Sequence, residues 1–322
     1  MGERTADGGK VLEVYAAIDV GGTKIAVGIG TDDGELKATE VMETDPNWAK
    51  DEVLDRVAGA VVKVRQEANV SNQDLVRVGL GTPGPLDGPV LLEASNLHNW
   101  RGLNWQAGLE SRLHIPVAVE NDATAAGIGE WMYGSGRGTN HCMYVTVSTG
   151  IGAGIIVNGQ RYSGARGNAG EFGHLVMRPD GLSCPAGHRG CLETLASGTA
   201  IQRTGRERQS QSPYLMTLNQ VETRDVFSGY EAGDGVCAAI IDEAADWLAL
   251  GLSYLVDLFN PEIIVIGGGV GTHAPADYRE RLGNGIRRWA LPALGEIVRL
   301  VPAQLGQDSG LMGALALAVM EN

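Results

Sequence analysis

Residues 171–193 hold two carboxylates, two histidines and two cysteines: Glu171, His174, Cys184, His188, Cys191 and Glu193. Thiolate and imidazole are the donors that a closed tetrahedral zinc shell prefers, and His174, Cys184, His188 and Cys191 can supply all four. The plain alternative is a surface histidine with two buried thiols, but four such donors inside 18 residues favour the metal. The glycine-rich loop has no apolar core of its own, so zinc there would be structural and coupled to local folding. Glu171 and Glu193 are left over as acceptors for a molecule rich in hydroxyl donors.

Three glycine-rich segments suit phosphate. Asp19-Val-Gly21-Gly22-Thr23-Lys24 puts an acid at a strand end, before backbone that can approach an anion closely. Asp19 there can hold a hydrated Mg²⁺ facing phosphates. The Walker spacing is absent. Ser148-Thr149-Gly150-Ile-Gly152-Ala-Gly154 offers a second cradle, and Gly267-Gly268-Gly269-Val270 could let adenosine lie on bare backbone. Each alone is more often a turn than a ligand site. Three of them, each closing a β-type run, favour a nucleotide. Asn121-Asp122 stands between a strand and a helix, where α/β proteins bind ligands. By spacing alone Asp122 reads first as the N-cap of that helix; functionally it would accept the proton of an attacking hydroxyl.

The elements that must position these groups read as a repeat. Val14 to Ile29 is strand, glycine turn, strand; His141 to Val157 is the same again, which suggests duplication. Between them, Asp51 to Ala68 has helical spacing of Val53, Leu54, Val57, Val61 and Val64. Val76 to Thr82 predicts a strand running into Pro83-Gly84-Pro85, and Ile115 to Val119 another, followed by a small-residue helix from Ala123 to Trp131. Helices over Asp242 to Phe259 and Leu311 to Met320, and a buried strand over Glu262 to Ile266, complete the second half.

Composition bounds the partners. With 322 residues the chain is long enough for two domains, and 43% hydrophobic residues suit a soluble globular protein. A net charge of −14 argues against nucleic acid or an anionic membrane surface, though backbone N–H groups can still hold a nucleotide. Cys142 and Cys237 lie alone in apolar surroundings, and Cys184 and Cys191 have metal-like spacing. That usage fits a reducing cytoplasm rather than a disulfide framework. No run reaches the length of a membrane helix. Residues 1–13 read as a disordered leader without the apolar core of a signal peptide.

As an ordered set, Ile18-Asp-Val-Gly-Gly-Thr-Lys24, Val119-Glu-Asn-Asp122, Ser148 to Gly154, Gly170-Glu-Phe-Gly-His174, Cys184 to Glu193 and Ile266-Gly-Gly-Gly269 resemble a ROK-family sugar kinase. Within that family the match is best to the bacterial glucokinases. The resemblance implies a two-lobed α/β fold of the actin/hexokinase/Hsp70-like ATPase type, with duplicated mixed-sheet domains and an active-site cleft between the lobes. It implies a small domain over 14–120, completed by a C-terminal helix at 307–322. A large domain over 121–306 would carry the zinc loop 174–191.

The activity it implies is ATP-dependent phosphorylation of the glucose 6-hydroxyl by direct in-line transfer, in the cytoplasm, with Mg²⁺ and structural Zn²⁺. The chain would work as a homodimer or homotetramer without nucleic-acid or membrane partners. Asp122 would be the base, and Asn121 would hydrogen-bond the sugar. Glu171, His174 and Glu193 would contact hydroxyls near the anomeric end, and Pro83, Gly84 and Asn96 would line the same pocket. Asp19, Gly21, Gly22, Thr23, Lys24, Thr149, Gly150, Gly268 and Gly269 would hold the nucleotide and its metal. One ring nitrogen of His174 would bind zinc while the other reaches the sugar.

The chain departs from the family pattern Cys-x-Cys-Gly-x-x-Gly-Cys at its middle cysteine, which is Ala186 here. Either His188 supplies the fourth ligand, or three ligands remain with water. Kinases for other hexoses or N-acetylhexosamines (N-acetylmannosamine, N-acetylglucosamine, fructose, mannose) share the pattern, and so do sugar-sensing repressors. A repressor would need a DNA-binding domain ahead of Tyr15, where about a dozen residues stand, and it would have to overcome the acidic charge.

Overall fold

The computed structural model describes residues 12–94 and 97–321. The expected leader therefore lies outside the described residues apart from Leu12 and Glu13, and so does Asn96. The chain divides into two compact units, the first running to Arg137 and including Ser163–Ala169 and the residues from Asp308 on. The second comprises Gly138–Tyr162 and Gly170–Gln307.

In the first unit β1 (Val14–Val20), β2 (Lys24–Thr31) and β3 (Leu36–Glu43) form an antiparallel meander. Helix α1 (Lys50–Glu67) buries Val53, Leu54, Val57, Val61 and Val64, the face that its spacing predicts. Then come β4 (Leu75–Thr82), a small hairpin of β5 (Leu86–Asp87) and β6 (Val90–Leu91), helix α2 (Trp105–Leu113), β7 (Val117–Asn121) and α3 (Asp122–Tyr133). The sheet order is β3-β2-β1-β4-β7, with β4 parallel to both β1 and β7. Strand β1 is central, and its apolar residues from Tyr15 on are buried. Edge strand β3 alternates half-buried and exposed residues and carries Lys37, Glu40 and Glu43, charges that discourage edge pairing.

The C-terminal helix (Ser309–Met320) also belongs to this unit. It is buried almost all round because it lies directly on backbone. A Cβ on Gly79 of β4 would stand 1.9 Å from the Ala314 carbonyl oxygen. One on Gly313 would stand 2.4 Å from that of Ala125 in α3. This contact is why the unit extends to Arg137 rather than ending at the expected 120/121 boundary: α3 packs on the last helix.

The second unit opens with β8 (Cys142–Val147), β9 (Ile151–Val157) and β10 (Gln160–Arg161). Helices α4 (Leu192–Ala196), α5 (Gly198–Glu207), α6 (Thr223–Glu231) and α7 (Gly235–Phe259) follow. Strand β11 (Ile263–Gly267) leads into α8 (Gly268–His273), α9 (Ala276–Trp289), α10 (Pro292–Gly295) and β12 (Arg299–Pro302). The sheet order β10-β9-β8-β11-β12 repeats the first sheet strand for strand: three antiparallel strands, then two parallel ones. The duplication suggested by the two glycine turns is thus present in the topology, and both turns join equivalent strands. Helix α7 begins seven residues before the expected Asp242, because Asp234 caps it by accepting from the Val236 and Cys237 N–H groups. Among the described residues no helix is long and apolar enough to cross a membrane.

Candidate active site

In the first unit the β1–β2 turn is closed by the Gly21 N–H, which donates to the Lys24 carbonyl at 2.9 Å. The end of β3 braces it: the Thr44 hydroxyl donates to the Gly21 carbonyl at 2.9 Å, and the Thr44 N–H to the Thr23 carbonyl at 2.9 Å. Gly22 and Thr23 stand at the tip, Thr23 and Lys24 exposed. Asp19, at the end of β1, lies against the first turn of the C-terminal helix. A Cβ on Gly310 would stand 2.3 Å from its Oδ2.

Asp19 and Asp122 flank Gly81 of β4. A Cβ there would lie 3.9 Å from Asp19 Oδ1 and 3.7 Å from the Asp122 Cα. Burial, and then the charge of Asp122, push the Asp19 carboxyl from 3.8 up to about 6, with Lys24 pulling the other way. A raised carboxyl favours folding only while protonated. That contribution is complete below pH 3.8 and is lost as pH rises through about 6. Asp19→Asn is therefore expected to melt a few degrees above wild type at pH 8 in metal-free buffer. The gap, worth about 2–3 kcal/mol for a carboxyl displaced this far, should close below pH 4. Thermal melts across that range check it, and equal melting temperatures at pH 8 would remove the burial penalty.

Asp122 is the first residue of α3, where the helix N-terminus favours its negative charge. It is not the N-cap that its spacing first suggests. The cap is Asn121, whose Oδ1 accepts from the N–H groups of Ala123 at 3.0 Å and Thr124 at 3.2 Å. The Asp122 carboxylate is thereby relieved of capping, although its Oδ1 also accepts from the Ala123 N–H at 2.8 Å. Asn121 Nδ2 donates to the Gly84 carbonyl at 3.4 Å, which ties the Pro83-Gly84-Pro85 loop to the start of α3. Gly84 has φ of 93° and packs on the Glu93 carbonyl oxygen, so no other residue fits there.

In the second unit the Thr149-Gly150 turn is held from both sides. The Gly198 N–H, opening α5, donates to the Ser148 carbonyl at 2.8 Å, and the Thr199 N–H to that of Thr149 at 3.4 Å. Glu193 Oε2 accepts from the Ile151 N–H at 3.1 Å, and a Cβ on Gly150 would stand 2.3 Å from it. Gly150 thus makes room for Glu193, a packing demand that its glycine-turn context does not announce. Gly268, with φ of 77°, packs on the Val147 carbonyl oxygen at the end of β8, and Gly269 follows it beside Ser148. The second and third glycine segments therefore converge on one end of this sheet.

His174 carries two contacts on its two ring nitrogens. Nδ1 is 3.8 Å from Cys184 Sγ, and Nε2 is 3.8 Å from Glu171 Oε2. One donor atom each from His174, Cys184, His188 and Cys191 lies within 4.8 Å of every other. A tetrahedral zinc with bonds of 2.0–2.3 Å holds its ligand atoms about 3.3–3.8 Å apart, so the four donors fit that ion with a small contraction. Burial pushes the Cys184 thiol up. The hydrogen bonds from Cys191, from His174 and from the His188 and Ala186 N–H groups outweigh it, leaving the thiol below its ordinary value. Cys191 moves the opposite way, to about 11, through burial and its contact with Cys184. One thiol is thus prepared to ionise, and a bound cation would ionise the other. The turn holding Ala186 is closed by the Cys184 N–H on the His188 carbonyl at 2.8 Å, and Gly187 has φ of 85°. That tight turn brings His188 back toward the thiols.

The ROK family profile matches residues 15–321. A curated glucokinase of Halalkalibacterium halodurans is 34% identical over 308 residues, covering 93% of each chain. Among solved structures, a ROK hexokinase from Thermus thermophilus is 36% identical with a TM-score of 0.83, covering 96% of this chain and 98% of its own. A ROK family glucokinase from Streptomyces griseus, solved with glucose and AMPPNP, is 33% identical with a TM-score of 0.78, covering 95% and 99%. The duplicated mixed sheets are those of the actin/hexokinase/Hsp70-like ATPase fold. In sequence and in fold, the chain belongs to the ROK family.

Proposed function

We propose that this protein is an ATP-dependent hexose kinase that phosphorylates the 6-hydroxyl of glucose. One observation carries the reading: Asp122 stands at the head of α3 with its capping duty taken over by Asn121, near enough to a second half-buried acid, Asp19, for its charge to act there. In this role Asp122 accepts the proton of the attacking hydroxyl as the phosphoryl group moves in line. The loose transition state asks little of the base beyond position. A magnesium ion held at Asp19 would neutralise charge developing on the phosphoryl oxygens.

The Gly22-Thr23 tip of the first turn, whose Gly21 N–H is taken by the Lys24 carbonyl, and the Thr149-Gly150 turn would present backbone N–H groups to phosphates, and Gly268-Gly269 would present bare backbone to the nucleoside. Glu171, His174 and Glu193 accept from or donate to sugar hydroxyls. Nδ1 lies beside Cys184 Sγ and would be the atom that binds the metal, which would fix the His174 ring and leave Nε2 to read the sugar. Pro83 and Gly84 line the same sugar, as would Asn96. His174, Cys184, His188 and Cys191 would hold one structural zinc.

Discrimination among hexoses rests on a few hydroxyl contacts, and a buried partner left unsatisfied is what rejects the wrong sugar. An ADP-release panel of glucose, mannose, fructose, N-acetylglucosamine and N-acetylmannosamine tests the reading, with ATP and polyphosphate each as donor. Glucose with ATP is expected to give the highest kcat/KM. An N-acetylhexosamine in first place would reassign the substrate, and no turnover with any sugar would support a sugar-sensing role instead.

A further inference from the structure

Seven residues of the second half, Ser163–Ala169, belong to the first unit, and Asn168 is what holds them there. Its Oδ1 accepts from the Leu86 N–H at 2.9 Å, and its Nδ2 donates to the Leu86 carbonyl at 2.7 Å. A side-chain amide presents one donor and one acceptor in a plane, as a peptide group does. With both bonds made to one residue, Asn168 acts as an added strand residue on the free edge of the β5–β6 hairpin. The pairing also settles the orientation of the amide, since only Oδ1 can accept from that N–H. Nδ2 further donates to the Arg166 carbonyl at 3.1 Å, and the Ala169 N–H closes the loop on the Ser163 carbonyl at 3.1 Å.

Leu86 is 3% exposed and directly follows Pro83-Gly84-Pro85. That loop is therefore gripped twice, by Asn121 at Gly84 and by Asn168 at Leu86. We infer that Asn168 is a positioning residue for the hexose, fixing the Pro83–Pro85 backbone against which the sugar packs. The inference rests on the kinase reading above, because it takes that loop as sugar-lining. Alanine removes both bonds. Aspartate keeps the shape and the acceptor for the Leu86 N–H, but sets a second acceptor against the Leu86 carbonyl.

Calorimetry of glucose, and separately of a non-hydrolysable ATP analogue, on wild type, Asn168→Ala and Asn168→Asp tests this, with hydrogen exchange read at the Leu86 amide. The glucose Kd is expected to rise about tenfold in Asn168→Ala, the scale of one or two lost hydrogen bonds, and at least as far in Asn168→Asp. The analogue Kd should stay constant, and Leu86 should lose protection in Asn168→Ala. Retained analogue binding also reports that the variants fold. Unchanged glucose affinity in both variants, or glucose and analogue weakening together, overturns the positioning role. A Leu86 amide still protected in Asn168→Ala overturns the clasp itself. Wild type that binds no hexose overturns the kinase reading instead, and this inference with it.

Discussion

Asp122→Asn is expected to lower kcat by about 10²–10⁴, the usual contribution of a positioned base, while glucose affinity changes little. The substitution is nearly isosteric, and it leaves the helix start intact because Asn121 makes the capping bonds to Ala123 and Thr124. Stability should hold or rise, since removing the Asp122 charge relieves Asp19 of the repulsion that helps raise its carboxyl. A loss confined to kcat, with unchanged melting and unchanged sugar Kd, is the signature of a group used only in the transition state. Wild-type turnover with lowered stability would instead make Asp122 a structural residue of the α3 N-terminus.

The second large effect concerns the metal. One zinc per chain is expected by elemental analysis, with donors from His174, Cys184, His188 and Cys191. His188→Ala should weaken it by at least about 100-fold, since even residues that only support a ligand are worth 10–100-fold. Chelation of wild type should lower the melting temperature, because a loop without an apolar core of its own would depend on that metal for structure. The four donors already lie within 4.8 Å of one another, and this is the observation that favours His188 over a water as the fourth ligand. If His188→Ala holds zinc with unchanged affinity and melting temperature, the site has three protein ligands and Ala186 marks a true loss. Through His174 the consequence reaches Glu171, so metal removal should also raise the KM for sugar more than that for ATP.

Much of this was legible in the sequence where the signal is local. The two glycine turns, the buried face of α1, the acid at the end of β1 and the donors of the metal loop depend on neighbours a few residues away. Long-range demands were not legible. Gly79, Gly310 and Gly313 look like ordinary small residues, yet their constraint is backbone or carboxylate far along the chain. Asn168 reads as one more loop polar residue until its partner, 82 positions earlier, is known. Amphipathic helices with polar majorities give a weak signal too: α9 buries only Tyr278, Leu282 and Ile286 among fourteen residues. The identity of the α3 cap turned on one residue, because Asn and Asp are equally good caps and only the backbone at Asn121 decides between them.

The last helix also has a consequence for how the protein is made. Strands β1 and β4 and helix α3 emerge early in synthesis, but the surface they share is finished only by the helix from Ser309 to Met320. Until that helix leaves the ribosome, Gly79, Gly129 and one side of Ala125 lack the helix they pack on, and the nascent first unit holds an uncovered face. The second unit, apart from the short segment lent to the first, is complete by Gln307. Vectorial synthesis would therefore be expected to mature the two units in reverse order, the later-coded one first. Asp19 and Asp122 would then come into register only at the end of translation, so a chain truncated before Ser309 is expected to fold the second unit without completing the pair of acids in the first.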